Sequence, residues 1–330
     1  MLAAVLRLRS IAGALVAVLA CGCGSGHHPS APAQGATTTP RPSAARRAPR
    51  PVALRVVATH RMPAPVQLPA LAARGSEVLA LGGLDAADAS VGGVVRVAPG
   101  RAKTIDSLPQ AVHDAGAATL GGRVYMFGGG TPAGPTGAIV EVGHGQVGKL
   151  PEPSSDLEAV AVGNAILLVG GYTGTTPLRS VLSFTPGRSL RQVAQLPHPL
   201  RYAAAAAAGD RLVVAGGTDG VNAQGDIVSV DPATHRTRVL GRLPSPLSHV
   251  TGAVLGRTLF LFGGRSNSGA GARRGIWAVD TRTGRVHSAG RLPIAVSDAS
   301  AITVGNRILV VGGRTASGGV VDRVWELAPR

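Results

Sequence analysis

The sequence contains only two cysteines in 330 residues, and both lie near its start, at Cys21 and Cys23. The rest of the chain therefore has no disulfide framework and no cysteine-ligated zinc. Lysine is equally scarce. Only Lys103 and Lys149 are lysines among 33 basic residues, so arginine carries nearly all the positive charge. Charged residues make up 15%, well below the usual quarter, which excludes a coiled coil. Aromatics make up 3%, and the arginines are scattered without interleaved rings, so the net charge of +16 does not describe a nucleic-acid surface. The apolar run Ile11–Ala20 is too short to cross a bilayer as a mature helix, which takes about 20 residues. Glycine is what the chain has in plenty. Its 47 residues follow no strict three-residue period, so collagen is excluded as well.

The charge is uneven. Residues 1–61 hold eight arginines and no acidic residue, while the other 25 basic and 17 acidic residues leave +8 on 62–330. Arg7 and Arg9, followed by Ile11–Ala20, have the form of an export signal over residues 1–20. Val18-Leu19-Ala20-Cys21 resembles a bacterial lipoprotein box. That resemblance implies lipidation of Cys21, with Cys23 as an overlapping candidate and a plain secretory signal as the other reading. The protein is then expected outside the cytoplasm, anchored to the cell membrane, or secreted if not lipidated. Residues 21–51 are rich in Ser, Pro, Ala, Thr and Arg and nearly free of large apolar side chains, the composition of a disordered linker. Its arginines are either solvated or lie against anionic head groups. His27-His28 has no further ligand beside it and reads as linker.

An apolar run ending in Gly-Gly then recurs six times, at Gly82-Gly83, Gly128-Gly129, Gly170-Gly171, Gly216-Gly217, Gly263-Gly264 and Gly312-Gly313. The first glycines lie 46, 42, 46, 47 and 49 residues apart. Pro63, Pro109, Pro151, Pro197, Pro244 and Pro293 each lie 19 residues before the first glycine of a pair. A constant offset inside a variable repeat describes a rigid half-unit and an elastic loop. Each unit reads as four short strands. The first spans, for example, Ala115–Leu120 or Ala299–Val304, and the second is the apolar run before the glycines. The third is exemplified by Ile227–Val230 and Ile276–Val279, and the fourth ends near the next landmark proline. Ala203–Ala208 favours helix by propensity, but its register makes it a first strand.

This pattern resembles the kelch repeat of β-propellers over residues 52–330. The resemblance implies an all-β, six-bladed propeller with four antiparallel strands per blade. Trp277 and Trp325 stand where that family carries its later aromatic; aligned positions elsewhere are aliphatic. Phe127, Phe260 and Phe262 are expected in the core between blades. The last unit ends after its third strand, Val324–Leu327, whereas residues 53–61 form a strand ahead of the first landmark proline. That N-terminal strand is expected to complete the last blade and close the ring.

In kelch proteins the binding surface is usually built from the loops that join blades and the loops after the glycine pairs. By register the first set places Leu68, Asp114, Asp156, Tyr202, His249 and Asp298 five residues after the landmark prolines, with Gln67, His113, Ser155, Arg201, Ser248 and Ser297 one before them. The second set includes Leu84, Tyr172, Thr218, Arg265 and Arg314. The expected mouth ring is Asp114, Asp156, Arg201, Tyr202, His249, Arg265, Asp298 and Arg314. It is either a polar pocket for a sugar, a carboxylate or an acidic peptide, or a set of solvated loop side chains. No serine-hydrolase, zinc-protease, phosphate-loop or calcium-loop motif is present. Gly143-x-Gly145-x-x-Gly148 matches a dinucleotide fingerprint only by letter, since no helix is expected to follow it. The copper chemistry of the galactose oxidase branch needs a cysteine that the folded part lacks. Exported sialic acid mutarotases share the repeat, but none of their active residues can be carried over. The expectation is a monomeric binding or scaffold module for a protein or cell-surface glycan, using no cofactor, metal or nucleic acid. The alternative is a sugar-acting enzyme of mutarotase or epimerase type, with Asp298, Asp114, His249 and Arg314 as its candidates.

Overall fold

A computed structural model describes residues 52–267 and 271–330. The signal, the linker, Cys21, Cys23 and the His27-His28 pair lie outside the described residues. The described chain is an all-β propeller of six four-stranded antiparallel blades. The first blade comprises Ala70–Arg74, Glu77–Leu81, Gly93–Ala98 and Arg101–Ser107. The second comprises Gly116–Leu120, Arg123–Phe127, Ala138–Glu141 and Gly145–Lys149, and the third Glu158–Val162, Ala165–Val169, Ser180–Phe184 and Arg191–Gln195. The fourth comprises Ala204–Ala208, Arg211–Ala215, Asp226–Asp231 and Arg236–Arg242, and the fifth Thr251–Leu255, Thr258–Phe262, Arg273–Asp280 and Val286–Ser297. The sixth takes Ser300–Val304, Arg307–Val311 and Arg323–Pro329 from the end of the chain and Leu54–Arg61 from its beginning. Leu54 pairs with Pro329 and Arg61 with Arg323, so the N-terminal strand closes the ring as its position ahead of Pro63 implied.

The glycine pairs are clasps between blades. The first glycine of each pair has a φ of 60–70°, and a Cβ there would overlap a carbonyl oxygen of the next blade. Those carbonyls belong to Val112, Ser154, Leu200, Leu247, Val296 and, across the closure, Val66. Each lies three residues after a landmark proline. The amide of the second glycine donates to the same oxygen at 2.8–3.0 Å. The bare first glycine thus permits the approach that its neighbour uses for a hydrogen bond.

Packing follows from this spacing. The core lies between adjacent blades, where Phe127, Phe260 and Phe262 are buried. Ala204–Ala208 is the inner strand of the fourth blade, since small side chains fit where six strands converge and tertiary packing overrides helix propensity. Hydroxyls stitch inner strands across blades, with Thr119 Oγ1 donating to Ala73 O and Thr303 Oγ1 to Val254 O, both at 2.6 Å. Every blade carries a register shift between its third and fourth strands, which bends the outer edge and discourages pairing with another chain. One fourth strand differs from expectation. Val286–Ser297 runs through Pro293 instead of stopping near it. An outermost strand tolerates proline because its outward N–H has no ladder partner to lose.

Candidate functional site

The six inner strands surround an axial channel of about 430 Å³. Its mouth is formed by the joins between blades. Leu68, Asp114, Asp156, Tyr202, His249 and Asp298 line it together, and all six adopt left-handed backbone with φ of 51–58°. A belt of amides runs through these residues. Asp114 N donates to Leu68 O, Asp156 N to Asp114 O, Asp298 N to His249 O, and Leu68 N to Asp298 O. The unusual φ turns each chain from the outer strand of one blade onto the inner strand of the next. The two expected loop sets meet by backbone bridges, Gln67 with Leu84, Ser155 with Tyr172, Arg201 with Thr218, Ser248 with Arg265 and Ser297 with Arg314.

The side chains are tied in a definite order. Asp298 accepts from Ser297 Oγ and Arg265 Nη2, each at 2.5 Å, and lies 2.5 Å from His249 Nδ1. Burial alone would raise its pKa. The hydrogen bond and charge of His249, with Ser297 and Arg265, outweigh burial and hold Asp298 below the usual carboxylate value. The His249 ring stacks on Tyr202 with centroids 3.9 Å apart. Arg201 donates to Tyr202 Oη at 2.9 Å, lies over the Tyr172 ring at 3.9 Å and pairs with Asp156. Burial still raises Asp156, in spite of Arg201. Burial, then the charges of Asp114 and Asp156, push the Tyr202 hydroxyl up against the opposing pull of Arg201.

Asp114 is different. Its side chain is 6% exposed, and the nearest basic group is His113, with Nε2 4.0 Å from Oδ2, whose own pKa burial lowers. It has no hydrogen-bond partner among the described side chains. Burial, then the charges of Asp156 and Asp298, raise it well above the ordinary range. Glu158 also lines the channel, and desolvation raises it to about 8. The register had not singled out Glu158. Its signal was there, because the equivalent inner-strand positions in the other blades are Ala70, Gly116, Ala204, Thr251 and Ser300, all small.

Seven of the eight expected ring residues therefore meet at the mouth, Asp114, Asp156, Tyr202, His249 and Asp298 as lining residues and Arg201 and Arg265 through ion pairs with lining carboxylates. Arg314 sits apart, at the rim. It donates to Gln67 Oε1 at 2.9 Å and pairs with exposed Asp88, to which Gln67 Nε2 also donates. Among the described residues, no group of three or more His, Cys, Asp or Glu is arranged to hold a metal ion. The site therefore offers three carboxyl groups raised by burial, Asp114, Asp156 and Glu158, one held below the usual value, Asp298, and an aromatic stack, around an open channel. No family model matches the chain, and no curated protein shows significant similarity to it.

Proposed function

We propose that this propeller is a binding module of kelch type, exported and held at the cell membrane through Cys21, that takes a polyhydroxylated ligand, a glycan, at the axial mouth. One observation carries the reading. Asp114 is a carboxyl pushed toward its neutral form, without a hydrogen-bond partner among the described side chains, lining a channel of about 430 Å³. A ligand hydroxyl in that channel would supply the hydrogen bond it lacks. The Tyr202–His249 stack supplies an apolar face of the kind a sugar ring packs on. The arginines favour a neutral or cationic ligand over an anion, because Arg201, Arg265 and Arg314 are each already engaged with a carboxylate. Export and lipidation rest on the Arg7–Cys21 pattern; mass spectrometry of the membrane fraction, with Cys21→Ser as control, tests them.

An enzyme acting on a sugar is the second reading. It is favoured by one feature: neighbouring Asp298 and Asp114 are pushed in opposite directions, which is how an acid and a base are separated at one pH. The two readings part on an array of soluble saccharides. Retention of a sugar unchanged, lost in Asp114→Asn, supports binding. Conversion of a retained sugar, with binding kept and turnover lost in Asp298→Asn, supports the enzyme.

A further inference from the structure

The two ends of the propeller differ in charge balance. At the mouth end Arg201, Arg265 and Arg314 face carboxylates, and so do Arg61, with Asp322, and Arg242, with Asp226. Arg179, Arg274 and Arg291 are exposed there without an ion pair among the described residues, but Asp85, Asp88, Asp106, Glu152 and Asp219 lie at the same end. The opposite end carries the hairpins that join first to second and third to fourth strands. There Arg74, Arg101, Arg188, Arg236, Arg257 and Arg282 sit at turn tips. All six are exposed, and none lies within 4.0 Å of a carboxylate among the described residues, although the charge of Arg282 helps lower Asp280 in its own turn. The acids at this end are mostly engaged. Glu77 lies 3.6 Å from Arg96, Glu141 3.1 Å from Arg123, Asp231 3.0 Å from Arg211 and Glu326 2.6 Å from Arg307. Asp280 accepts from the amides of its own turn.

The described chain begins at this same end. Arg330 N donates to Ala53 O at 3.0 Å, and Leu54 pairs with Pro329 beside the third-to-fourth position of the sixth blade. The residues that lead into Val52 include Arg41, Arg46, Arg47 and Arg50 and no acid.

We propose that this turn-bearing end docks on an anionic bilayer surface, with the axial mouth directed away from it. Charges are felt only within a Debye length of about 8 Å at physiological salt, so arginines at the tips of hairpins reach head groups while those along the strands do not. The six tips are spread over four blades of one end instead of lining a groove, which matches an extended sheet of charge. Each arginine near such a surface strengthens partition on the order of fivefold. The proposal rests on the charge of this end and is independent of what the mouth binds.

The test uses the full chain carrying Cys21→Ser and Cys23→Ser, so that no lipid holds it. It is sedimented with vesicles of phosphatidylcholine, with and without a third of phosphatidylglycerol. The triple variant Arg101→Gln, Arg188→Gln, Arg282→Gln should lose on the order of 100-fold in partition to the anionic vesicles. The triple variant Arg179→Gln, Arg274→Gln, Arg291→Gln, at the mouth end, should change it by less than about threefold. A fluorophore on Ser189→Cys should be quenched by brominated lipid, and one on Thr175→Cys should not. Equal losses in the two triple variants, equal binding to neutral vesicles, or quenching at Thr175→Cys alone would overturn the proposal. So would a turn variant that keeps its vesicle binding but loses affinity for soluble polyphosphate, which would make the end a polyanion site.

Discussion

A Cβ on Gly128 would overlap the Ser154 carbonyl oxygen that Gly129 N uses as its acceptor. Alanine there combines left-handed strain of about 1–2 kcal/mol with a displaced interblade hydrogen bond. Gly128→Ala should therefore lower stability by at least about 3 kcal/mol, read as a fall in melting temperature of about 6 °C or more. Gly121, also at positive φ but in an open turn with no atom within 4 Å, should lose less on the same change. Leu68 makes the converse case. It is the one aliphatic residue in the left-handed ring, and Leu68→Asn should be neutral or stabilising by up to about 1 kcal/mol, because Asn tolerates that conformation. Glu158 gives a pH signature. Its folded pKa of about 8 lies above the unfolded value near 4.5, so the folded state binds the extra proton between them. That stability is fully present below the unfolded pKa and is lost as pH rises toward 8. Glu158→Gln should melt higher than the parent at pH 8.5, by on the order of 2 kcal/mol, and nearly equal to it at pH 4.5.

At the scale of the element, the closing strand is the exposed weakness of the ring. Leu54 is 1% exposed and packs with Leu327, Ile276 and Ala289. Deleting residues 51–61 removes this contact and bares the edge of Arg323–Pro329, so melting temperature should fall sharply and aggregation rise. Unchanged melting would contradict the closure. This element was legible in the sequence because a strand stood ahead of the first proline and another was missing after the last unit. The inner strands were legible for a similar reason: six copies in register overrule any single propensity, even that of six alanines. The continuation of Val286–Ser297 through Pro293 was not legible, since whether proline ends a strand depends on which side of it a neighbour lies, and that is a property of the sheet. Nor were the pairings of the arginines. The register placed Arg314 among the ring residues, but only the geometry shows it turned toward Gln67 and Asp88.

At the scale of the molecule, the propeller separates its functions by end. The mouth gathers carboxyl groups around an axial channel, while the hairpin end holds unpaired arginines beside the start of the described chain. The sequence distributed +8 over residues 62–330 without indicating this polarity, because residues of one end are spread over every repeat and come together only when the ring closes. Glu158 was hidden for a related reason. A single acid among small inner-strand residues becomes significant only when that position faces a channel.

The axial mouth as a binding site is the central claim, and saccharide retention by the Tyr202 and Asp114 variants tests it most directly. Asn suits the left-handed backbone at both positions, so Tyr202→Asn and Asp114→Asn should fold as the parent does. The measurement is retention of a panel of neutral and amino saccharides by the parent and by each variant at pH 7. The account predicts that the parent retains at least one sugar and that each variant loses it by about tenfold or more, the size of one buried hydrogen bond or one stacking contact. Retention by either variant at the parental level, or no retention by the parent, would contradict it.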